Sequence, residues 1–286
     1  MSSAGHHIAL FAHLCCRPDE ELDLGSAALC IAEPEYPDLD IARYLQALDA
    51  LAEQVRPAVI GAAGSGGQAS GDPAQRGLAV VRELVERLGF RGNTEAYDDP
   101  RNSFLNEVLD RRLGIPITLS VVAMEVARRL GVPLFGVSFP GHFLLRTAEP
   151  QASERRPVED DPDEDGADDD SARPGPPITA PWGSSLATSR SPLLIDPFLA
   201  RPLSSLDLKV LLQRVLGERR EARADELRVA SKPEILLRML NNLRNIYLRS
   251  GDAARLHLCT ERIRLLEAAV RARAERGPQA SPSVPN

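Results

Sequence analysis

One apolar run, bounded by proline and glycine, constrains the fold of this chain more than any other stretch. Pro116 suits the first position of a helix, because proline lacks an N–H that would be unpaired there. Gly131 and Pro133 end the run, and the residues between carry charge at only three positions, all in the second half. A helix that is apolar on nearly all sides is a buried one. The sequence therefore predicts a central helix from Pro116 to about Leu130, with other elements packed around it.

The neighbouring residues predict one helix before this centre and two strands after it. Asp99 can cap a helix that starts at Pro100 and runs to about Arg112. The run LFGVSF at 134–139 is typical of a strand, and the proline and glycine that follow predict a turn. A second short strand then begins at His142. The predicted order is helix, helix, strand, strand, with a histidine at the start of the last strand.

Amphipathic helices are predicted on the N-terminal side of this centre. Apolar residues recur at helical spacing in 21–33, 40–55 and 75–89. The segment 61–73, rich in glycine and alanine, predicts a flexible link between the last two.

The C-terminal side predicts a helix at 206–217 and then two longer helices within 232–270. The break between those two is Ser250-Gly251-Asp252. This helix, turn and helix resembles one tetratricopeptide unit, which cannot bury its own apolar face and should dock on the main domain. We expect a protein partner to bind through this hairpin.

The charge of the chain lies in one segment. Residues 147–191 contain 11 acidic and 4 basic residues, which accounts for the whole formal charge of −7. Such a segment, rich also in proline and glycine, predicts a disordered insertion. The balanced remainder shows no basic cluster of the kind that binds nucleic acid.

Composition excludes further classes. No apolar run reaches the roughly 18 residues of a membrane span. The four cysteines make no disulfide framework and no secretory signal is visible, so we expect a cytoplasmic protein without a membrane anchor. The N-terminal histidines His6, His7 and His13 lack further ligands at metal-binding spacing, so we expect no metal and no cofactor.

Three motifs carry a resemblance to a known family. They are DPRNSFLNEVLDRRLGIPITLS at 99–120, GVSFPGHFLLR at 136–146 and IDPF at 195–198, with support from 35–55 and 88–93. They resemble the bacterial transglutaminase-like family of the SirB type, described as regulators of sirC expression. That family joins a transglutaminase-like core to a tetratricopeptide tail.

The resemblance implies an α+β fold with a papain-like transglutaminase core. The organisation we expect is an N-terminal helical region, the core with its insertion at 147–191, a tetratricopeptide-like hairpin and a disordered tail. The corresponding ranges are 1–95, 96–221, 222–276 and 277–286.

The resemblance also implies positions for a catalytic triad. In this fold a cysteine at the start of the central helix is the nucleophile, a histidine on the next strand exchanges its proton, and an aspartate orients the histidine. The histidine role falls to His142 and the aspartate role to Asp196. The nucleophile position falls near Thr118, but the chain has no cysteine between Cys30 and Cys259. These positions therefore describe a vestigial triad.

Three functions stay open on the sequence alone. The first, which the missing cysteine and the hairpin favour, is a non-catalytic regulatory or interaction module. The second is a hydrolase or acyl-transferase whose nucleophile is the hydroxyl of Thr118 or Ser120, about 2.6–3.2 Å from His142. The third is a protein that binds a small ligand or a peptide in the former active-site cleft.

The polar residues of the first motif bear on the third function. They form either one wall of a pocket that faces His142 or a set of helix caps and buried hydrogen bonds, and they are Arg101, Asn102, Asn106 and Glu107. For Cys15, Cys16 and Cys30 we expect the role of small buried apolar residues.

Overall fold

The computed structural model describes residues 3–62, 72–148 and 192–276. Most of the predicted glycine-rich link, nearly all of the predicted acidic insertion and the whole predicted tail lie outside these ranges. What the sequence predicts for them stays a prediction.

Nine α-helices make up most of the described residues. Labelled α1 to α9 in chain order, they are Ser3–Cys15, Leu24–Ala32, Ile41–Gly61, Pro73–Arg82, Leu105–Arg111, Pro116–Arg129, Ser205–Leu216, Lys232–Ser250 and Ala253–Arg276. A π-helical turn, Glu83–Arg87, extends α4, and 3₁₀ turns lie at Pro100–Ser103 and Asp225–Leu227. Within the described ranges, none of these helices combines the length and the apolar character needed to cross a membrane.

Aspartate caps begin the N-terminal helices. The side chains of Asp23, Asp40 and Asp72 each accept a hydrogen bond from a backbone N–H in the first turn of α2, α3 and α4. Such caps satisfy donors that a helix cannot pair internally. Helices are confirmed at the three places predicted, 21–33, 40–55 and 75–89. Helix α3 continues six residues beyond the end predicted from its apolar residues.

The central helix is confirmed as α6. Eleven of its fourteen residues are buried, including the polar Thr118, Ser120 and Glu125. Helices α2 to α5 and the strands that follow α6 pack around it. This burial is what an apolar helix requires, because apolar surface removed from water contributes about 25 cal/mol per Å².

Two small sheets complete the core. Strands β1 (Arg91–Gly92) and β2 (Leu113–Gly114) form a parallel pair. The larger sheet is antiparallel in the order β3-β4-β5-β6, where the strands are Leu134–Val137, Leu144–Thr147, Leu194–Asp196 and Arg201–Pro202. Helix and sheet together give the α+β class that the sequence predicts.

The predicted strand start at His142 is wrong by two residues. Strand β4 begins at Leu144, and His142 lies in the turn before it, where its N–H donates to the carbonyl of Phe139 at 3.1 Å. Gly141 closes this turn in the left-handed region at φ +63°. A residue that closes a turn cannot pair in the sheet, so the strand starts later.

The single helix predicted from Pro100 to Arg112 is also wrong. The chain forms a 3₁₀ turn over Pro100–Ser103, becomes extended at Phe104 (φ −95°, ψ 123°) and then enters α5. The carbonyl of Asn102 accepts a hydrogen bond from the hydroxyl of Thr118 at 2.7 Å and not from a helical N–H four residues later. This contact with α6 breaks the helix.

The C-terminal hairpin α8–α9 packs on the rest of the chain. Ile235, Leu236 and Met239 of α8 are fully buried in the same apolar core as α6. From α9, the guanidinium of Arg262 donates to the carboxylate of Glu33 at the end of α2, and both residues are almost completely buried. Burial lowers the pKa of Arg262, and the charge of Glu33 opposes that shift.

Replacing Arg262 with alanine should lower the free energy of unfolding by about 3–5 kcal/mol, because Glu33 would remain buried without its partner. The matched control is Arg264→Ala on the same helix, whose pair with Glu261 is exposed and contributes about 0–1 kcal/mol. Urea denaturation followed by circular dichroism at pH 7 measures both variants. Equal losses would show that the buried pair does not hold the hairpin in place.

Candidate functional site

His142 lies in a turn that two other elements hold. Gly141 packs so closely against Val215 of α7 that no side chain would fit at this position. From α8, the guanidinium of Arg238 donates to the hydroxyl of Ser138 at 2.7 Å and to the carbonyls of Phe139 and His142 at 3.1 and 2.7 Å. The backbone that carries the imidazole is therefore fixed by α7 and α8.

Asp196 ends β5 and lies next to this imidazole. Its Oδ2 is 3.3 Å from Nε2 of His142, an ion pair when the imidazole is protonated. No described residue offers Nε2 a short, well-aligned hydrogen bond. Oδ1 of Asp196 accepts from the N–H of Phe198 at 2.7 Å, and the Phe198 ring meets the imidazole edge-on at 6.3 Å.

Several groups act on the pKa of Asp196. Burial alone would raise it, but the neighbouring imidazole of His142, together with the N–H groups of Phe198 and Leu199, holds it below its ordinary value. Asp196 is therefore ionised at neutral pH. One carboxylate oxygen faces the imidazole, and the other closes the turn after β5 by accepting a backbone N–H.

Thr118 lies in the first turn of α6, where the resemblance puts a nucleophile. The residue is fully buried. Its single O–H proton lies between the carbonyls of Asn102, at 2.7 Å, and Ile115, at 3.1 Å, and Oγ1 accepts from the N–H of Ile115 at 3.1 Å. The hydroxyl is therefore a helix cap and an interhelical tie.

Ser120, the other candidate hydroxyl, is also fully buried. Its Oγ has no hydrogen-bond partner among the described residues. The described contacts thus bring Asp196 to His142 but bring neither hydroxyl to it.

The four polar residues of the first motif have separate environments. The amide of Asn102 bonds to the carbonyls of Ala96 and Tyr97 and to the side chain of Asn93. Oδ1 of Asn106 is buried without a described partner.

The two charged residues among these four also have side-chain partners. Arg101 is exposed and bonds to Asp99 through two nitrogens. Glu107 accepts from the hydroxyl of Tyr36 at 2.9 Å. The sequence left open whether these residues form a pocket wall or a set of helix caps and hydrogen bonds. The contacts of Arg101, Asn102 and Glu107 are those of caps and hydrogen bonds.

The three buried cysteines lack the environment of a nucleophile, and the buried position expected for Cys16 is wrong. Burial raises the pKa of Cys15 to about 12 and those of Cys30 and Cys259 to about 11, so these thiols are protonated at neutral pH. Cys16, at the end of α1, is exposed. Within the described residues, no group of three or more histidines, cysteines and acids is placed to hold a metal ion.

The sequence does not predict the contacts of two residues at this site. Phe198 lies inside the IDPF motif, but nothing in the motif predicts that its ring meets the imidazole. Arg238 lies in an ordinary amphipathic helix, 96 residues after the histidine whose carbonyl it binds. No local pattern signals such a contact.

Comparison with known proteins identifies the family. The sequence model of the transglutaminase-like superfamily matches residues 42–241, which include α6, His142, Asp196 and Arg238. A UPF0162 protein of Xylella fastidiosa (strain Temecula1) is 36% identical over 260 residues, 90% of this chain and 76% of its own. A UPF0162 protein of Pseudomonas aeruginosa is 33% identical over 241 residues, 84% of this chain and 71% of its own.

A shorter similarity extends beyond bacteria. F-box only protein 21 of Mus musculus is 51% identical over 68 residues, 24% of this chain and 11% of its own. No solved structure matches the chain significantly. Since the family match covers most of the chain and includes the described site, this chain belongs to the transglutaminase-like superfamily, as a relative of the UPF0162 proteins.

Proposed function

We propose that this chain is a non-catalytic transglutaminase-like protein that acts as a regulatory or protein-interaction module. The observation that carries the proposal is the state of Thr118. A nucleophile must be free to lose its proton and to reach a substrate. The Thr118 hydroxyl is buried and donates to the carbonyls of Asn102 and Ile115, so it is already used by the fold.

The cysteines support the same proposal. Catalytic thiols need a lowered pKa, which helix N-termini and neighbouring cations provide. Burial shifts Cys15, Cys30 and Cys259 in the opposite direction. Four free thiols also support a location in the reducing cytoplasm.

The remaining pair has a structural use that needs no nucleophile. The carboxylate of Asp196 accepts the N–H of Phe198 and lies 3.3 Å from His142. It therefore joins the turn after β5 to the turn before β4.

The partner we propose binds the hairpin α8–α9, whose sequence resembles a tetratricopeptide unit. A groove of about 700 Å³ runs between the two helices. Its apolar floor includes Leu237, Leu266 and Val270, and Arg271 and Glu267 lie beside it. Apolar floors with charged rims are typical of protein interfaces. A role as a regulator of sirC expression rests on the resemblance alone.

The substitution Thr118→Val should lower the free energy of unfolding by about 1–3 kcal/mol, because the Asn102 carbonyl and the Ile115 N–H would lose a buried partner. Ser120→Ala is the matched control on the same helix, since its hydroxyl has no described partner to lose. Urea denaturation of both variants tests this. A larger loss for Ser120→Ala than for Thr118→Val would overturn the structural role.

The purified chain should show no transamidation and no amide hydrolysis above a His142→Ala variant. Incorporation of a fluorescent amine into casein and release of a chromogenic anilide are the two assays. Activity that disappears in both His142→Ala and Thr118→Val but persists in Thr118→Ser would overturn the proposal and restore an enzyme. Thr118→Ser keeps the hydroxyl, so a nucleophilic role predicts residual activity there.

Asp196→Asn should cost about 1–3 kcal/mol at pH 7, since the carboxylate makes charge-assisted contacts. The pKa of Asp196 is lowered in the folded state, so its contribution is complete above the ordinary value of 3.8 and disappears as the pH falls through the folded value. Urea unfolding of wild type and variant from pH 7 to pH 3 should therefore show a shrinking difference. A difference that stays constant would contradict the lowered pKa.

A further inference from the structure

Arg238 has hydrogen-bonding capacity that the described residues do not use. A guanidinium carries five N–H donors in a planar fork. Three of them point to Ser138, Phe139 and His142. Nε and the second hydrogen on Nη2 have no acceptor in the described part of the chain. Two free N–H groups on one guanidinium match the two oxygens of a carboxylate.

The guanidinium of Arg238 lies over the Phe143 ring, with its central carbon 5.5 Å from the ring centroid, but it has no carboxylate partner among the described residues. Its three acceptors are a hydroxyl and two carbonyls, and no described carboxylate lies within ion-pair distance. By contrast, the more deeply buried Arg262 pairs with Glu33, and Arg129 pairs with Glu125 and Asp49. Burial lowers the pKa of Arg238, and Tyr97, neutral at physiological pH, is the one group that opposes this. A partly buried cation without a counter-charge favours an anion beside it.

A cavity of about 330 Å³ opens at this guanidinium. One face of α8 forms much of its lining, which consists of Ser138, Asp225, Arg228, Glu234, Leu237, Arg238 and Asn241. The volume lies at the lower end of the range of small-ligand pockets. The side-chain amide of Asn241 has no described hydrogen-bond partner, so it is available to a ligand.

The other charges of the cavity gather around Arg228. That guanidinium donates to Glu234 at 2.9 Å through Nη1 and again through Nη2, and Asp225 adds a second negative charge near it. One end of the cavity is therefore negative, and the end at Arg238 is positive. A polyanion would meet Asp225 and Glu234, whereas a molecule with a single carboxylate would not.

We propose that this cavity is a binding site for a free carboxylate, carried by a molecule of low net charge such as an amino acid derivative or the C-terminus of a peptide. The carboxylate occupies the two unused N–H groups of Arg238, and the amide of Asn241 donates a further hydrogen bond. This site is distinct from the His142–Asp196 pair. It stands whether or not the protein is catalytic.

The site is linked to His142 through one side chain. Arg238 donates to the carbonyl of His142 and to Ser138 and Phe139 of the same turn. A carboxylate bound to the other side of the guanidinium therefore neutralises the charge that the turn faces. The amide resonances of Ser138, Phe139, Gly141 and His142 should report on binding directly.

The test is a titration of the full chain, labelled with ¹⁵N, with four probes. They are N-acetylglycine, acetyl-trialanine with a free carboxylate, the same peptide with an amidated terminus, and citrate. We expect both monocarboxylates to shift the amide resonances of this turn, which are those of Ser138, Phe139, Gly141 and His142. The amidated peptide and citrate should bind at least tenfold more weakly. Equal binding of the free and amidated peptides would overturn the proposal, and so would tighter binding of citrate.

Comparison of N-acetylglycine with acetyl-trialanine identifies the source of the carboxylate. Tighter binding of the tripeptide supports a peptide C-terminus as the ligand, and equal or tighter binding of N-acetylglycine supports a free small carboxylate. Isothermal titration calorimetry gives the dissociation constants for this comparison.

Two variants locate the site. Arg238→Met should weaken binding at least tenfold, because it removes the cation and both free donors. Since this change also releases the turn at 138–142, Asn241→Asp provides a second test that leaves the turn contacts in place. It keeps the volume of the side chain and adds a negative charge, so binding should again fall at least tenfold.

Asn245→Asp is the matched control, because Asn245 is exposed on the same helix and does not line the cavity. Its dissociation constant should equal that of the wild type. An unchanged constant in Asn241→Asp, or an equal loss in Asn245→Asp, would overturn the assignment of the carboxylate to this cavity.

Discussion

The hydroxyl of Thr118 ties the head of the central helix to the loop before it, and much of the structure depends on this tie. Through it, α6 holds the carbonyl of Asn102. The side chain of Asn102 in turn holds the loop at Ala96 and accepts from Asn93. Buried polar networks of this kind hold one arrangement of a core only when their members are satisfied.

Two glycines allow that network to pack. A Cβ at Gly114 would meet the Thr118 hydroxyl at 2.8 Å, so a larger residue there would push the cap away. Gly92, one residue before Asn93, lies directly against the ring of Phe198. Because Phe198 faces the imidazole of His142, the loop held by Asn102 also forms the support of the histidine. The residues that cap α6 and the residues that support His142 therefore belong to one connected set of contacts.

The sequence predicts those elements around α6 whose determining residues lie close together in the chain. The central helix follows from a run of apolar residues between Pro116 and Gly131, and its burial follows from its composition. The break at Phe104 does not follow, because the local signals at 99–112 all favour a helix. A single contact with a residue 16 positions away outweighs them. Tertiary contacts override local propensity in this way because propensity is weak, below about 1 kcal/mol per residue.

Arg238 shows the same limit at longer range. An arginine on an amphipathic helix predicts a solvated charge. Only the fold brings it to three acceptors in a turn almost 100 residues earlier. Backbone carbonyls leave no trace in a sequence, since every residue has one. The partners of a buried cation can therefore be read from sequence only when they are acidic side chains.

The retained aspartate and histidine can be explained without catalysis. Asp196 accepts a backbone N–H and also faces the imidazole, so its loss would leave a buried donor as well as a histidine without its partner. An unsatisfied buried donor costs about 1–3 kcal/mol, which is a large part of the stability of a small domain. The nucleophile position carries no such requirement for a thiol, because threonine there makes three hydrogen bonds that a cysteine would make more weakly. Stability alone is thus a sufficient reason for the carboxylate and the imidazole at these positions and for the hydroxyl at the head of the helix.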